Sequence, residues 1–429
     1  MRVILFLLLS VGFLSNSYSQ SIQKCGHSFV YNVVAAKYPA VLALPETVAM
    51  KTTQSDSVVT IPIVFHIVLT KLQLAQLGGE TVIPDFINTQ VTKITNDFMG
   101  QNADSTKIPP AFKEFYGKAR MQFALAHTAP DGSATPGYEI KVTTKTGFNL
   151  QQNTYGSETA FSDAKYATSG GLDSWDPATY VNVWVLNVAD NAQLLGLCIP
   201  PSFVSSHNFP SVETGVVLSY RNWRPSLNSF QARTLTHELG HFFELFHIWG
   251  DDEGKCPSTG GQDDGIEDTP PQAYENYGCP VFPKYDGCTR AGAGLMFMNF
   301  MDYTDDQCQQ MFTHQQVAKM RAQIQPFGTS YALTQHPDVL KFPTETSSDN
   351  SYVIYPNPGD GRINIRFNRV SNNVKGIRII NMMGQTVASQ IVSAQKGFYY
   401  FDLSGAGTGI YFAQIEFTDK TVVKKVLIR

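Results

Sequence analysis

Apolar residues in the first two thirds of the chain repeat with both strand-like and helix-like spacing. A run of β-branched residues at 58–70, VVTIPIVFHIVLT, predicts a buried strand, and residues 119–127 and 180–188 predict two more. Residues 83–101 instead predict a helix, because their apolar side chains recur three or four positions apart at Phe86, Ile87, Val91, Ile94 and Phe98. The pattern predicts a domain of mixed helices and strands.

The segment 226–243, SLNSFQARTLTHELGHFF, predicts another helix with two different faces. Ser and Asn near its start are favoured capping residues. One stripe is apolar and comprises Ala232, Leu235, Leu239 and Phe242. At about 100° per residue, His237 and His241 fall on nearly the opposite side, one turn apart. These two histidines therefore do not belong to the core-facing stripe.

The last third of the chain changes character. Residues 331–350 are polar and predict a linker. From residue 351 onward, short β-rich runs such as RINIRF and GIYFAQIEF are separated by Gly, Asn, Asp and Ser, which is typical of a small β-sandwich. We therefore expect a first domain over 56–330, the linker, and a sandwich over 351–429, in a chain of the α+β class.

The first twenty residues carry one positive charge, an apolar run from Val3 to Leu14, and then small polar residues. This order is typical of a secretory signal peptide over residues 1–20, because a membrane span needs about 20 apolar residues. No later stretch is long and apolar enough to cross a membrane, so no transmembrane segment is predicted. An irregular segment follows over 21–55. Export permits disulfide bonds.

Charge and cysteine content narrow the classes further. The net charge is -4 and the 32 Lys and Arg residues are scattered, which argues against a nucleic-acid or anionic-membrane partner. Four of the six cysteines lie in one Gly/Pro/Asp-rich segment: Cys256, Cys279, Cys288 and Cys308. Three disulfide pairings are open to them. A tetrathiolate zinc site is disfavoured because the cysteines lack close paired spacing.

The stretch LTHELGHFFELFH, residues 235–247, holds three of the nine histidines. Zinc prefers nitrogen and sulfur ligands in a tetrahedron, and histidines four apart on a helix, such as His237 and His241, point at one spot. Glu238 supplies a carboxylate beside the metal that can take a proton from the attacking water and pass it to a leaving amine. These residue types at this spacing point to metal-assisted hydrolysis of an amide.

The third ligand tests the local geometry. On an unbroken helix His247 would lie about 9 Å further along the axis than His241, too far to share a metal. His247 reaches the metal only if the helix ends and the chain turns back through a residue with positive φ at Glu244. A non-glycine residue costs about 1–2 kcal/mol there, so on this reasoning Glu244→Gly is neutral or stabilising. Asp251 and Asp252 are the alternative ligands.

The string HELGHFFELFHIWGDD resembles the extended zinc signature of the metzincin peptidases, and its surroundings are similar to the pappalysin (M43, cytophagalysin) family. The resemblance covers about residues 57–325. It implies a metzincin-like fold with a mixed twisted sheet, a zinc-binding helix and an irregular, disulfide-held C-terminal subdomain. Relatives carry Gly or Asn at the position of Glu244. In NFMDYTDD, the resemblance implies that Met301 forms the Met-turn and that Tyr303 binds zinc at rest or stabilises the oxyanion.

Two further strings resemble family features. GQDDGIEDTPPQ implies a structural calcium site with Asp264, the Ile266 carbonyl and Thr269 as ligands, and Asp252 or Glu253 as additions. QKCGHS resembles short pro-segments whose Cys-Gly thiolate occupies the water position on zinc. It implies that residues 21–55 form a pro-segment and that Cys25 keeps the enzyme latent. A free thiol and a disulfide from Cys25 to Cys198 remain the alternatives.

The resemblance also concerns the loop around Cys308. The clustered cysteines match two family disulfides, Cys256 with Cys288 and Cys279 with Cys308. In some relatives that cut before arginine, an acidic residue directly before the matching cysteine lines the specificity pocket. This chain has Gln307 there, so we expect broad cleavage with at most a mild basic bias. Asp305 and Asp306 are close enough in sequence to restore a basic preference.

The strings VIYPNPGDGRINI, NMMGQTV, GIYF and KKVLIR resemble the type A C-terminal sorting domain of bacterial type IX secretion, over most of residues 351–429. This implies export across the inner and then the outer membrane, with the type IX machinery as a partner and a secreted or cell-surface location. A generic β-sandwich that binds carbohydrate or another protein is the alternative. No aromatic platform supports that alternative.

These resemblances together imply a secreted, calcium-stabilised zinc endopeptidase that acts on protein or peptide substrates and is made as a latent precursor. Two alternatives stay open. One is a binding or adhesin-like protein whose metzincin fold has lost activity through Glu244, and the other is a zinc hydrolase of a non-peptide amide. Metal content and peptide hydrolysis distinguish the three.

Overall fold

The computed structural model describes residues 25–26, 57–150, 163–189, 194–207, 210–223, 233–251, 254–342, 352–367, 374–392, 398–418 and 420–429. The predicted signal peptide, most of the predicted pro-segment, the start of the predicted helix at 226–232, Asp252 and Glu253 lie outside the described residues. Among the helices in the described ranges, none combines the length and apolar character that a membrane span requires.

A sheet of six strands forms the centre of the first domain. The strands of the described part up to residue 342 are β1 (Val59–Leu69), β2 (Tyr116–Gly117), β3 (Met121–Leu125), β4 (Tyr138–Val142), β5 (Val181–Leu186), β6 (Gly196–Ile199), β7 (Gly215–Ser219) and β8 (Phe312–Thr313). The sheet order is β3-β1-β5-β7-β6, and β4 pairs with β1 beyond the end of β3. All neighbours are parallel except the edge strand β6, which is antiparallel to β7. The short strands β2 and β8 pair separately.

Strand β1 explains why the apolar run was visible in the sequence. Its last nine residues are buried, because a central parallel strand is covered on both faces. The predicted strands within 58–70, 119–127 and 180–188 are confirmed as β1, β3 and β5. The helices, like the strands, lie where their apolar side chains can be buried. The helices of this part are α1 (Lys71–Leu77), α2 (Ile83–Met99), α3 (Pro201–His207), α4 (Arg233–Phe242) and α5 (His314–Gln323).

Helix α2 confirms the predicted helical spacing. Ile87, Ile94 and Phe98 are fully buried, and Phe86 and Val91 pack at the margin of the same core. The helix ends at Gly100, whose φ of 64° suits glycine. Helices α1 and α5 each begin with a capping box, in which a threonine side chain and a glutamine three residues later satisfy each other's backbone N–H groups.

Helix α4 is held at its first residue by a buried arginine. The Arg233 guanidinium donates to both carboxylate oxygens of Asp97 at 3.2 and 3.0 Å and to those of Asp104 at 2.6 and 2.8 Å. It also donates to the carbonyls of Asp306, at 2.7 Å, and Gln309. A guanidinium this deeply buried is tolerated only when its N–H groups have acceptors. Arg233 thereby fixes the start of α4 against α2 and the loop after Met301.

The region between α4 and β8 is irregular. Its described residues form a single 3-10 turn, Pro257–Thr259, and no longer helix or strand. Disulfides join Cys256 to Cys288 and Cys279 to Cys308, which is the pairing that the family resemblance implies. Cross-links of this kind limit the unfolded chain where regular hydrogen-bonded structure is scarce.

Two antiparallel sheets form the C-terminal domain, as the predicted sandwich requires. The strands are β9 (Tyr352–Tyr355), β10 (Arg362–Phe367), β11 (Val374–Asn381), β12 (Thr386–Ile391), β13 (Phe398–Asp402), β14 (Gly409–Phe417) and β15 (Thr421–Ile428). Their orders are β13-β10-β9 and β12-β11-β14-β15. Alternate apolar side chains from both sheets share one core, including Ile363, Ile365, Ile377, Ile379 and Ile415.

The predicted linker differs from the structure in its first part. Residues 331–342 form two 3-10 turns, and Leu333 and Val339 are buried. The Val339 carbonyl accepts from the N–H groups of His127, at 2.7 Å, and Thr128, at 3.1 Å. These residues therefore pack on the first domain, because two apolar side chains within a polar segment are enough to anchor it. Residues 343–350 lie outside the described ranges, and the domain boundaries stay a prediction.

Candidate metal centre and active site

Three histidine rings meet at one point beneath the edge strand β6. The Nε2 atoms of His237, His241 and His247 lie 3.1 to 3.2 Å from one another, and all three residues are buried. His237 and His241 come from the same face of α4, as the spacing predicts. His247 comes from beyond the end of the helix.

The second nitrogen of each ring faces an oxygen. The acceptors are the Phe300 carbonyl for His237, the Leu245 carbonyl for His241 and the Asp251 carboxylate for His247, each at 2.7 Å. An acceptor at Nδ1 places the proton there, so each neutral ring presents an unprotonated Nε2 to the centre. Three lone pairs this close require a cation. Tetrahedral zinc, at about 2.0–2.1 Å from each nitrogen, separates such nitrogens by about 3.3 Å, so these residues fit zinc.

The turn that brings His247 to this point has positive φ at Glu244, as expected. Glu244 has a φ of 73°. Its N–H donates to the His241 carbonyl at 2.9 Å, and the Leu245 N–H donates back to the Gly240 carbonyl at 3.0 Å. These bonds end α4 in a left-handed residue, which is how helices commonly terminate with glycine. The chain then reverses over three residues and carries His247 back toward His241.

Glu238 lies beside the histidines with its carboxylate buried. Its Oε2 accepts from the Cys25 thiol at 3.5 Å, and its Oε1 has no hydrogen-bond partner among the described residues. Burial raises the pKa of Glu238 to about 8, and the Cys25 contact opposes that rise. A side chain at Gly196 in β6 would place its Cβ 2.5 Å from Oε1. Glycine at residue 196 therefore makes room for the carboxylate.

Cys25 completes a group of four metal-ligand types. Its Sγ and the three histidine nitrogens lie within 4.8 Å of one another. The Gly26 N–H donates to the Gly196 carbonyl at 2.9 Å, so residues 25–26 pair in parallel with β6. The Tyr303 hydroxyl donates to the Cys25 carbonyl at 3.2 Å. Neither Cys25 nor Cys198 is in a disulfide, so the structure does not contain the alternative bridge between them.

Met301 packs directly beneath the histidine helix. It is fully buried, and a Cβ at Gly240 would lie 2.4 Å from its sulfur. Gly240 therefore lets the methionine approach the helix between the two histidines. The Asn299 side chain accepts from the Met301 N–H at 2.9 Å and fixes this turn. The neighbouring Phe300 carbonyl is the one that accepts from His237, so one turn supports both the helix and a ring.

Asp302 and Trp249 also support the site, although sequence reasoning did not single them out. The buried Asp302 carboxylate accepts from the N–H of Tyr303 and from the N–H and side-chain amide of Asn276, at 2.6 to 2.7 Å. Burial raises its pKa to about 6, against these hydrogen bonds. The Trp249 ring stacks on His247 at 4.2 Å between centroids, with 7° between planes. Both residues lie inside the strings that carry the family resemblance, which was the only signal available.

The loop predicted to bind calcium brings three oxygen-bearing groups together. The Thr269 hydroxyl lies 2.9 and 3.0 Å from the carboxylate oxygens of Asp264 and 2.8 Å from the Ile266 carbonyl. Burial raises the pKa of Asp264 to about 8, and hydrogen bonds from the Thr269 hydroxyl and the Ile266 N–H oppose that rise. Calcium takes six to eight oxygens, so these groups would supply part of a coordination sphere.

The residues of the predicted specificity loop have different roles in the structure. Gln307 is exposed. The Asp306 carboxylate is buried and accepts from the Arg233 backbone N–H at 2.8 Å, so it binds the first described residue of α4. Asp306 is therefore already engaged, and Asp305 is the acidic neighbour that remains half-buried.

Both domains match known proteins. The M43 peptidase family model described as pregnancy-associated plasma protein-A matches residues 169–325, and the model described as secretion system C-terminal sorting domain matches residues 353–429. Mature mirolysin of Tannerella forsythia, solved with a cleaved peptide, is 33% identical, with a TM-score of 0.59. The match covers 67% of this chain and 99% of that chain. The chain belongs to the M43 peptidase family.

Other relatives agree with this assignment. A promirolysin mutant of Tannerella forsythia is 30% identical to this M43 peptidase, with a TM-score of 0.64, over 75% of this chain and 100% of that chain. An extracellular metalloprotease of Arthroderma gypseum is 34% identical over 130 residues, which are 30% of this chain and 42% of that protein. The chain thus spans less than half the length of that curated relative. The predicted family, α+β fold and secretion are confirmed.

Substitution of His247 and of Asp251 tests which of these two residues is the third zinc ligand. We expect His247→Ala to lose zinc almost completely, because one of three nitrogens is removed. Asp251→Ala should weaken zinc binding by about 10–100-fold, the usual cost of losing a residue that orients a ligand. Zinc affinity measured by chelator competition checks this order, with the exposed His314→Ala as the control. Retention of zinc in His247→Ala and its loss in Asp251→Ala would assign the third ligand to the aspartate.

Proposed function

We propose that this M43 peptidase is a secreted zinc-dependent endopeptidase made as a latent precursor. The observation that carries the proposal is the convergence of three histidine Nε2 atoms with the buried carboxylate of Glu238 beside them. Membership of a metallopeptidase family supports zinc as the ion. His237, His241 and His247 would hold it.

Each side chain around the metal centre has its own role in peptide hydrolysis. Zinc, when bound, supplies a Lewis acid that polarises a carbonyl and activates water. The Glu238 carboxylate takes a proton from the attacking water and then donates it to the leaving nitrogen as the C–N bond breaks. The Tyr303 hydroxyl donates a hydrogen bond to the oxyanion once the Cys25 carbonyl has left. Trp249 and Asp251 keep the His247 ring in place throughout.

Strand β6 supports a peptide as the substrate. Its outer side pairs with residues 25–26, so its backbone groups accept an extended chain there. An edge of this kind recognises main-chain atoms and favours an endopeptidase over a hydrolase of small amides. Gln307 offers no charge to a basic side chain, and Asp306 is occupied by Arg233. We therefore expect broad cleavage with at most a mild basic bias.

Latency follows from the position of Cys25. Its thiol lies among the three histidines, where a thiolate would be the fourth ligand and would exclude water. Hydrogen bonds from Gly26 to β6 and from Tyr303 to the Cys25 carbonyl hold the segment there. Removal of this segment would free the fourth position, the Glu238 carboxylate and the Tyr303 hydroxyl together.

Calcium and the secretion machinery are the further proposed partners. Asp264, Ile266 and Thr269 would bind a structural calcium ion, for which their convergent oxygens are suited. The C-terminal sandwich would engage the type IX machinery, because its family model is that of a sorting domain. The calcium ion would stabilise the fold, and the type IX machinery would determine the route by which the protein leaves the cell.

Proteomic mapping of cleaved bonds tests the activity. Activated wild-type protein should cut denatured proteins into a metal-dependent set of peptides. Glu238→Ala should keep its zinc and lose at least about a hundredfold in rate, since the carboxylate moves protons and binds no metal. Zinc loss in that variant would contradict this role. A wild type that keeps zinc and cleaves nothing would favour a binding protein, and a map dominated by arginine after the cut bond would contradict broad specificity.

Substitution of Cys25 tests latency. The uncut precursor of Cys25→Ala should hydrolyse peptides without processing, whereas the uncut wild type should be silent. The matched control is Cys198→Ala, which removes the other buried cysteine outside the disulfides and should leave the precursor latent. If none of the three uncut precursors hydrolyses peptides, another part of the precursor blocks the site.

Chelation tests the calcium loop. Millimolar calcium should raise Tm relative to the same protein in EGTA, because a ligand at a hundred times its Kd stabilises the fold by about 3 kcal/mol. Asp264→Asn should abolish that shift, since it removes a charged ligand. The zinc content of both proteins serves as the control for loss of the other metal. An equal calcium shift in wild type and variant would place the ion elsewhere.

A further inference from the structure

Glu244 adds a side chain at a position where the backbone favours glycine. Its φ of 73° carries a steric cost of about 1–2 kcal/mol for a residue with a Cβ. The turn itself, with bonds from the Glu244 and Leu245 N–H groups, uses only backbone atoms. The carboxylate is therefore not needed to form the turn, and its own contacts must explain what it does.

The Glu244 carboxylate contacts the start of α3. It accepts hydrogen bonds from the Ser202 hydroxyl and from the Ser202 backbone N–H. Its Oε1 is buried and has no hydrogen-bond partner among the described residues. Burial raises the pKa of Glu244 to about 7, while Ser202 and the Lys319 ammonium oppose the rise. Lys319 itself lies over the Phe246 ring at 4.6 Å.

Ser202 needs an acceptor from outside its own helix. Pro201 is the first residue of α3 and has no N–H, so the Ser202 N–H is the first donor of the helix without an intrahelical partner. Glu244 supplies that acceptor from a segment 42 positions further along the chain. Ser202 also lies three residues after Ile199, the last residue of β6. A bond to Ser202 therefore acts on the end of the edge strand.

We propose that Glu244 is a positioning residue that ties the turn before His247 to the segment joining β6 to α3. Through this tie it holds the peptide-binding edge of β6 at a fixed distance from the metal centre. The inference rests on the proposed endopeptidase function for its kinetic readout. Because β6 carries Gly196, which contacts Glu238 and pairs with Gly26, a small shift of the strand would alter peptide binding more than metal binding.

Glu244→Gly is the informative variant, because glycine suits the positive φ of the turn while the side chain that bears the carboxylate is removed. We expect KM for a peptide substrate to rise roughly three- to tenfold, the range for losing one or two hydrogen bonds, with kcat changed by about twofold at most. Zinc content should be unchanged. Glu244→Gln keeps an acceptor oxygen and should restore KM, and Ser202→Ala should reproduce part of the loss. Ser205→Ala removes the hydroxyl that donates to the Ser202 carbonyl and leaves both Ser202 donors in place, so it is the control for a loss within the same helix.

Hydrogen exchange gives a readout that does not need activity. In activated Glu244→Gly protein, the amides of Gly196–Ile199 should exchange faster than in activated wild type, and Glu244→Gln should resemble wild type. If the wild type hydrolyses no peptide, the proposed function fails, and the exchange experiment still tests the positioning role. The proposal is overturned if Glu244→Gly matches wild type in KM and exchange, if only Tm changes, or if Gln behaves like Gly.

Discussion

Three imidazole nitrogens must share one point although the chain separates them by four and six residues, and this requirement shapes the rest of the first domain. Two of the rings, those of His237 and His241, reach this point through the regular geometry of α4 alone. The third needs the helix to end at Phe242 and the chain to turn left-handed at Glu244. Oxygens from Phe300, Leu245 and Asp251 then orient the rings, so that the lone pairs converge.

The parts that orient the rings have little regular structure of their own. The Phe300 carbonyl belongs to an irregular loop, which is held by Arg233 at one end and by Asp302 near the other. Arg233 connects this loop to the histidine helix, so buried hydrogen bonds join the helix to the loop that carries the Phe300 acceptor. The disulfides restrain the same region from outside. A buried charge cluster and two cross-links thus replace the backbone ladders that a loop lacks.

The spacing of apolar residues predicted those strands and helices whose burial follows that spacing. Continuous burial made β1 visible, 3.6-residue spacing made α2 visible, and the positions of His237 and His241 located the centre. The contacts of Arg233 were invisible, because Asp97 lies 136 positions away and charge alone does not reveal burial. Gly196 was also invisible, since only a structure shows what its missing side chain makes room for. The polar composition of residues 331–342 predicts a linker, while two buried apolar residues, Leu333 and Val339, decide their packing.

The pairing of Cys25 and Gly26 with β6 has a consequence for the order of events in activation. If residues 21–55 form the proposed pro-segment, it and a substrate would compete for the same strand edge, and the pro-segment would compete as part of the same molecule. Covalent attachment to the same chain would give it an effective concentration on the order of millimolar. A break of the chain within residues 27–56 would remove that advantage while every contact in the cleft stayed the same. The freed segment would then act as an ordinary dissociable inhibitor, and dilution alone would complete activation.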